Sequence, residues 1–473
     1  MSEYNFLSFS WMLNMWVNDF LNSLDELSVC NNVYQKNVWE LRTVPWYSKV
    51  VATTIGWNIT FLHEYYRNST LDYYMLAWYT SWSDMIIKRR GVWTWWTTLT
   101  TITWAASSTI NAVTYIDKVF WLWNNWTTFI SPFTIEWTSY STADTDLSDM
   151  PSGKYIVRYN DLLYVLNAKI WSDNYPSRWY YCSAPVGWDI SWFPTTDFIE
   201  FGQDDWEEIT WWAVASWALV VFKENSMWTW NENSIQKIYD IWCENNDSIQ
   251  VINWALYWYN KDWMWRWAWW TPQLISRKMQ WLIDSVANAS SSWIVSIKDW
   301  NEYKLYVWTH TVNWFTYNNT WLCFDSSTET FYTRTSDYPA YSTVIFTELN
   351  KKRAYFWTDS WLLLKINREE DSVALDVDKA IFYTFKTPYL SFDLPYILKR
   401  TPNLYLYSKN PNWINFSIDI DYKNEYNESR WSMNTSGIHE HNIWTTGYLF
   451  SINFYWNWQT VFNWFTIEIN NEE

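Results

Sequence analysis

Glycine is nearly missing from this chain: 473 residues contain 7 of them, beside 47 tryptophans. Ordinary proteins carry glycine at about 7%. Cysteine and histidine are equally sparse, at 4 each. Cys30, Cys182, Cys243 and Cys323 stand far apart with no CxxC spacing, which excludes a zinc ribbon or a disulfide framework and favours reduced thiols in a cytoplasm. Basic residues are outnumbered, 33 Lys and Arg against 50 Asp and Glu, leaving a net charge of −17. That balance excludes a surface that grips nucleic acid, because an acidic wall repels phosphate. No long apolar run is present either. The most apolar stretch, Trp211 to Phe222, is too short to span a bilayer. The N-terminal MSEYNFLSFSW carries Glu3 and no basic segment, so no secretory signal is expected. Sequons such as Asn68-Ser69-Thr70 then follow from an Asn- and Thr-rich composition.

What is present in excess explains what is missing. In the run from Asn253 to Val286, Trp254 follows Asn253, Trp263 follows Asp262, and Trp269-Trp270 precede Thr271-Pro272. These are turn positions, where Asn-Gly, Asp-Gly and Gly-Gly supply φ > 0. A bulky side chain meets a Cβ penalty there. Pooled, tryptophan and glycine make an ordinary, slightly glycine-rich count. The expectation is that most tryptophans stand where the natural protein has glycine, through a UGA codon that the source reads as glycine. Gly56, Gly187 and Gly202 then come from ordinary glycine codons. The rival account is a truly tryptophan-rich binder of carbohydrates or aromatics. Read with glycine, the run becomes a strand pair, a glycine-rich loop and a short helix capped by Ser276.

From about Val50 a unit recurs, a polar turn followed by a short alternating apolar run. Examples are Ile116-Asp117-Lys118-Val119-Phe120, Asn160-Asp161-Leu162-Leu163-Tyr164, Asn253-Trp254-Ala255-Leu256-Tyr257 and Asn350-Lys351-Lys352-Arg353-Ala354. Most spacings fall near the ~40–50 residues of a propeller blade, and the interval between the first two copies, from Gly56 to Ile116, is longer. Each unit is too short to bury itself, so stacking must make the core. The expected fold is all-β: a six- to eight-bladed β-propeller followed by a small C-terminal β-sandwich, with a sandwich of repeated hairpins as the competitor. The expected divisions are an N-terminal arm over 1–49, the propeller over 50–370 and the sandwich over 371–473. The last boundary rests on the charged Arg368-Glu369-Glu370-Asp371 and on Pro388, Pro395, Pro402 and Pro411 beyond it. The period-two runs Ile414 to Ile420, Tyr448 to Phe454 and Phe465 to Ile469 then read as antiparallel strands.

Chemistry-bearing constellations are few. His439 and His441 would share one face of a strand, yet SGIHEHN has no evident third ligand, so a solvated loop is expected. Asp204-Asp205-Trp206-Glu207-Glu208 offers carboxylates of the kind glycosidases use, but nearly contiguous acids on a turn are expected to splay into water. Lys88-Arg89-Arg90 reads as ion-pairing or as a protein interface. Trp263 to Trp270 lacks the Lys-Ser/Thr and long helix of a phosphate loop and reads as a loop within a blade. No catalytic residue, metal ligand, binding residue or cofactor is assigned.

With glycine in place of tryptophan, several segments resemble the β-propeller proteins of tailed-phage head–tail connectors and tails, of the tail tubular and packaged-DNA-stabilising type. Glu40 to Tyr47 becomes ELRTVPGY, similar to a G-x-L-R-x-x-P-G pattern. Gly187 to Met227 resembles a blade with an aromatic-Pro loop and a strand ending in Phe-Lys. Asn260 to Asp284 resembles a hairpin followed by a short interdomain helix, and Trp300 to Thr309 with Cys323 to Arg334 resembles paired strands. The N-terminal arm and the stretch from Thr127 to Met150 depart from the pattern. The resemblance implies a non-enzymatic virion protein assembled in the host cytoplasm. It would form a sixfold homo-oligomeric ring with portal, adaptor or tail proteins, with genomic DNA only in passage and no membrane contact. Two alternatives stay open: a propeller that binds or cleaves glycans at the host surface, and a cellular repeat scaffold.

Overall fold

The computed structural model describes residues 2–6, 11–13, 26–37, 40–45, 47–50, 59–81, 83–91, 96–103, 109–125, 128–129, 132–136, 139–141, 149–183, 193–202, 205, 207–215, 218–231, 234–261, 263–268, 270–287, 294–312, 315–368, 383–390, 397–409, 414–421, 423–426, 437–456 and 461–471. Gly56, Trp57, Gly187, Asp204, Trp206, Asp262, Trp269 and the expected boundary at Asp371 lie outside them.

The described chain is almost entirely β. Seven small antiparallel units follow one another among the described residues, the sixth being part of a nine-stranded sheet, and all but the last take their strands in chain order. Sheet one opens with Ile59–Arg67 and Asp72–Ser81, sheet two with Thr109–Tyr115 and Lys118–Asn125, and sheet three with Ser152–Tyr159 and Leu162–Ile170. Sheet four opens with Ile209–Ala215 and Ala218–Lys223, and sheet five with Gln250–Ile252 and Ala255–Asn260. Sheet six is Val295–Asp299, Glu302–Tyr306, Thr320–Asp325 and Thr330–Thr335. Sheet seven takes Ala340–Glu348, Lys351–Thr358 and Leu363–Ile366, and its fourth strand, Tyr47–Lys49, comes from the N-terminal segment, with Ile366 opposite Tyr47.

The second strand of each sheet explains why the units stack. Ala218–Lys223 and Ala255–Asn260 are buried at every position, so both faces need a neighbouring sheet. Val157, Leu166 and Trp179 of sheet three pack with Leu219 and Val221 of sheet four. Val220 and Phe222 on the other face of that strand pack with Leu256 and Trp258 of sheet five. The succession then returns on itself. Val344, Phe346 and Tyr355 of sheet seven bury against Ile59, Leu62 and Met75 of sheet one, and Glu64 Oε1 accepts from the Thr347 N–H at 2.6 Å.

Residues 1–49, read above as an arm, are paired into sheets where they are described. Glu40–Thr43 and Ser2–Phe6 both pair with Val461–Asn471, and Val29–Asn31 pairs with Tyr383–Lys386. The two resulting sheets, one carrying Phe450–Trp456 and the other Lys399–Lys409, face each other through Phe454 and Phe465, ring centroids 5.2 Å apart. Val29–Asn31 also runs parallel to Thr330–Thr335, joining this two-sheet unit to sheet six.

The helix expected after Trp270 is present as Gln280–Ala287, preceded by a 3-10 turn at Ser276–Met279. Ser276 does not cap it. Its hydroxyl accepts from the Met264 N–H at 2.9 Å, which fastens the turn to sheet five instead.

The hairpin corners fall into two geometries. Two-residue loops Ile116-Asp117, Asn160-Asp161, Asn253-Trp254 and Leu349-Asn350 each hold φ > 0 at both residues. That is the type I′ pattern, which suits strand twist and favours Asn-Gly. Trp171 and Trp300 open two-residue loops with φ of 59° and 58° at the first position, the place type II′ reserves for glycine. Trp308 and Trp361 also sit at φ > 0. Neighbouring corners touch: Tyr65 donates to the Asp117 carbonyl, Tyr115 donates to the Asp161 carbonyl, and Asn253 Nδ2 donates to Asn301 Oδ1 at 2.9 Å.

Candidate functional site at the seam of sheets six and seven

Lys304 lies mid-strand between two other strands of sheet six, and its side chain is 2% exposed. Period two puts Glu302 on its face, and the tight corner sets Asp299 opposite Glu302. Lys304 Nζ therefore lies 2.7 Å from Asp299 Oδ2 and 2.7 Å from Glu302 Oε2. Arg368, just past the last strand of sheet seven, donates from Nε to Asp299 Oδ1 at 2.8 Å. Tyr332 donates to Glu302 Oε1.

Burial by itself would raise the Asp299 pKa, but Lys304 and then Arg368 outweigh it and hold the carboxyl below the usual carboxylate range. For Lys304 burial pulls the pKa down, and Asp299 and Glu302 more than reverse it, so the ammonium stays charged. The nearby Cys323 thiol is pushed up to about 12 by burial, which makes it a packing residue and no nucleophile.

Above this network lies a cavity of about 420 Å³, walled by the Trp300 corner, by Gln35 and Pro45 of the N-terminal segment, by Arg334 of sheet six and by Asn367 and Arg368 after sheet seven. Arg334 is 1% exposed. Its Nη2 donates to the Pro45 carbonyl at 2.7 Å, and its guanidinium stands 4.1 Å over the Tyr47 ring. The sequence carries a faint signal for this site. Lys304 in EYKLY and Arg334 in TFYTRT are charges within strands that are otherwise mostly buried, and a charge there must find a partner inside. Neither residue belongs to a turn or to a contiguous run of like charge.

The sequence-derived candidates are placed elsewhere and are not brought together. Of the acidic run, Asp205 pairs with the buried Lys223, Ser226 donates to Glu207 at 2.8 Å, and Lys154 lies 2.7 Å from Glu208. Asp205 and Glu207 are tied to sheet four and Glu208 to sheet three, while Asp205 stays exposed and the Glu208 side chain keeps 39% of its surface. His441 is equally unlike the expected solvated loop. It lies on the strand Gly437–Gly447, is buried, and sits 5.4 Å from the Phe416 ring. Nothing is described of the His439 side chain. Among the described residues no three of His, Cys, Asp or Glu converge as metal ligands. Lys88 and Arg89 lie over the rings of Tyr79 and Tyr74. Trp263–Trp267 is a strand.

No family model matches the sequence, and no curated protein matches it. Among solved structures, the chain is similar to PorZ, a surface component of the type-IX secretion system of Porphyromonas gingivalis. Identity is 9% and TM-score 0.34, over 76% of this chain and 45% of that one. The chain thus spans less than half the length of PorZ. It is also similar to a glycoside hydrolase (9% identity, TM-score 0.27, 90% of this chain and all of that one) and to the Aleuria aurantia lectin (11%, 0.31, 68% of this chain and all of that one). Likenesses at this level carry no argument about activity.

Proposed function

We propose that this chain is a structural protein of a tailed-phage particle, a subunit of the ring between portal or adaptor and tail, built as a seven-bladed β-propeller joined to a β-sandwich. The observation that carries the reading is the double closure of the chain. Tyr47–Lys49 completes sheet seven, and strands from both ends of the sequence share the two-sheet unit. A body fastened at both ends resists local unfolding under load, which is what a ring subunit in a connector needs. The resemblance of the ELRTVPGY, hairpin-helix and paired-strand segments points the same way. The acidic net charge of −17 suits a lumen that DNA traverses without adhering.

Glycine at the tryptophan positions belongs to the same reading. Trp171, Trp254, Trp300, Trp308 and Trp361 occupy φ > 0, where a bulky residue is an outlier. The interior supports it independently. The indole N–H groups of Trp78, Trp121, Trp123, Trp179, Trp212, Trp265, Trp321 and Trp357 are buried with no acceptor, each costing about 1–3 kcal/mol. The rings of Trp121 and Phe133 have centroids only 3.5 Å apart, inside the usual range of about 4.5–7 Å.

The glycan-cleaving alternative is disfavoured at the seam. Asp299 and Glu302 are both committed to Lys304, so neither is free to act as acid or base.

Two measurements test the proposal. Negative-stain microscopy of the purified protein is expected to show rings, and the protein is expected to comigrate with particles. A strictly monomeric protein absent from particles overturns the reading. Peptide mass spectrometry of the authentic gene product is expected to find glycine at positions 254 and 300; indole masses there overturn the recoding.

A further inference from the structure

Three aliphatic side chains stand where the backbone disfavours them. Among the described residues Leu349, Leu71 and Ile116 are the aliphatic residues at φ > 0, at 50°, 58° and 44°. They occupy the opening corners of sheets seven, one and two, neighbours in the closed succession. Leu349 and Leu71 are also 67% and 69% exposed. Asparagine or glycine would relieve the strain and the exposure together, so the fold gains nothing from leucine there. A cost kept at such a position points to function. Cations gather at the same strand ends. Lys351 and Lys352, just after the sheet-seven corner, are exposed and have no carboxylate partner among the described residues. Lys88, Arg89 and Arg90 lie toward the same end of sheet one's third strand, with Arg90 opposite Met75. The acids at this end are fewer and engaged. Glu348 has Lys365 at 3.8 Å, and Asp72 stands opposite Arg67. Glu64 accepts from the Thr347 N–H, and Asp117 from the Ser69 N–H. A positive patch remains, on a chain whose net charge is −17.

Sheet four, three places from sheet one and three from sheet seven, stands across the succession from that patch and is its converse. From Asp204 to Asp240 the cations are Lys223, buried against Asp205, and Lys237, which lies 2.6 Å from the exposed Asp240. Glu207 and the exposed Glu224 have no salt bridge among the described residues. Glu207, Glu224 and Asp240 all sit at the strand ends away from the opening corner. Ile235 and Tyr239, on the edge strand Ser234–Tyr239, are large apolar side chains left exposed. We propose that the two patches bind each other between copies of this chain. The Leu71 and Leu349 corners of one copy, with Lys351 and Lys352, would dock on Glu224, Asp240 and Tyr239 of the next. The apolar side chains supply the contact, and the charges select the partner and its register. Because the patches differ and lie on opposite sides of the subunit, the contact is heterologous, the kind that closes into a ring when the rotation allows. This inference rests on the ring reading above and names the faces that would form it.

The test is sedimentation velocity and native mass spectrometry of the full-length protein at low ionic strength. The unaltered chain is expected to assemble, and to dissociate as salt is raised. Lys351→Glu with Lys352→Glu makes both patches acidic, and Glu224→Lys with Asp240→Lys makes both basic. Each double variant alone is expected to lose assembly at least tenfold. Mixed in equal amounts they should reassemble with the two kinds alternating, since the reversed patch of each meets the native patch of the other. All four positions are exposed, so folding is expected to hold. Leu349→Asn separates docking from folding by sign. It should weaken assembly of the otherwise unaltered chain, yet raise Tm in the non-assembling Lys351→Glu/Lys352→Glu background, because asparagine tolerates φ > 0. An unaltered chain that stays monomeric overturns the ring reading and this contact together. Rings that survive both charge reversals, folded variants that do not reassemble when mixed, or unchanged assembly in Leu349→Asn overturn this contact alone.

Discussion

Sheets five and six are neighbours that each open on a two-residue hairpin, yet they solve different problems. In sheet five the corner Asn253-Trp254 leads into a strand whose third residue is Tyr257; in sheet six the corner Trp300-Asn301 leads into one whose third residue is Lys304. Both corners hold a tryptophan at φ > 0, 63% exposed in one case and 66% in the other. Tyr257 stacks on Tyr303 of the next sheet with centroids 5.7 Å apart. Lys304 instead anchors a buried charge network. A repeating unit therefore fixes corner length while leaving the interior of each sheet free to be oil or ions. The two choices differ in how they fail. Apolar packing degrades by degrees, whereas a buried ion pair that loses one member leaves a bare charge.

The largest expected difference follows from that contrast. Lys304→Met should destabilise the protein by about 3 kcal/mol, because Glu302 loses its cation and the buried Asp299 keeps only Arg368. Tyr257→Leu removes a ring contact but strands no charge, and about 1–2 kcal/mol is expected. Urea denaturation of both variants checks this. Adding Asp299→Asn to Lys304→Met should recover part of the loss; no recovery would mean that the network is not the source of the cost.

Acid sharpens the comparison with no mutation at all. Asp299 is held below its unfolded value of about 3.9, so the folded state binds its proton less readily than the unfolded one. Its contribution is present above about pH 4 and is lost as pH falls through the folded value. Hydrogen exchange measured from pH 5 downward should show the amides of Glu302–Tyr306 losing protection before those of Ala255–Asn260. Simultaneous loss would place the acid-sensitive group elsewhere.

The corners were legible in the sequence and the charge network was not, for a physical reason. Asn-X and Asp-X between alternating runs state a local requirement, φ > 0, that no distant residue can waive. The repeat of such corners, together with strands too short to bury themselves, was enough to expect stacked small sheets. Lys304 and Arg334 become partners of a shared site only through pairings that bring residues 35, 299, 334 and 367 together, and spacing within one strand cannot express that. The same holds for the N-terminal strands. Nothing local in Val29–Asn31 or Glu40–Thr43 announces that they pair with residues beyond 380. In the acidic run adjacency in sequence makes no shared site: Asp205, Glu207 and Glu208 each have a different partner.

Glycine at the exposed corners gives a smaller effect of opposite sign. Trp254→Gly relieves about 1–3 kcal/mol of backbone strain and gives back about 0.4–1 kcal/mol through the added freedom of the unfolded chain. The net expectation is a gain of about 1 kcal/mol, or a few degrees in Tm. Asn253→Gly, at a position asparagine already tolerates, should change little. A loss of stability in Trp254→Gly would argue that the indole is native there and would restrict recoding to other positions.

Trp300→Gly should give less than Trp254→Gly, and this smallest difference discriminates best. The strain relieved is the same, but the Trp300 ring lies 5.5 Å from the Arg368 guanidinium, a contact worth about 0.5–1 kcal/mol at an exposed site. Relief and loss nearly cancel, so a change close to zero is expected. In an Arg368→Gln background the contact is already gone, and Trp300→Gly should then recover the gain seen at position 254. If the two backgrounds respond alike, the ring and the guanidinium are not coupled. The corners of sheets five and six would then differ only in what lies beneath them.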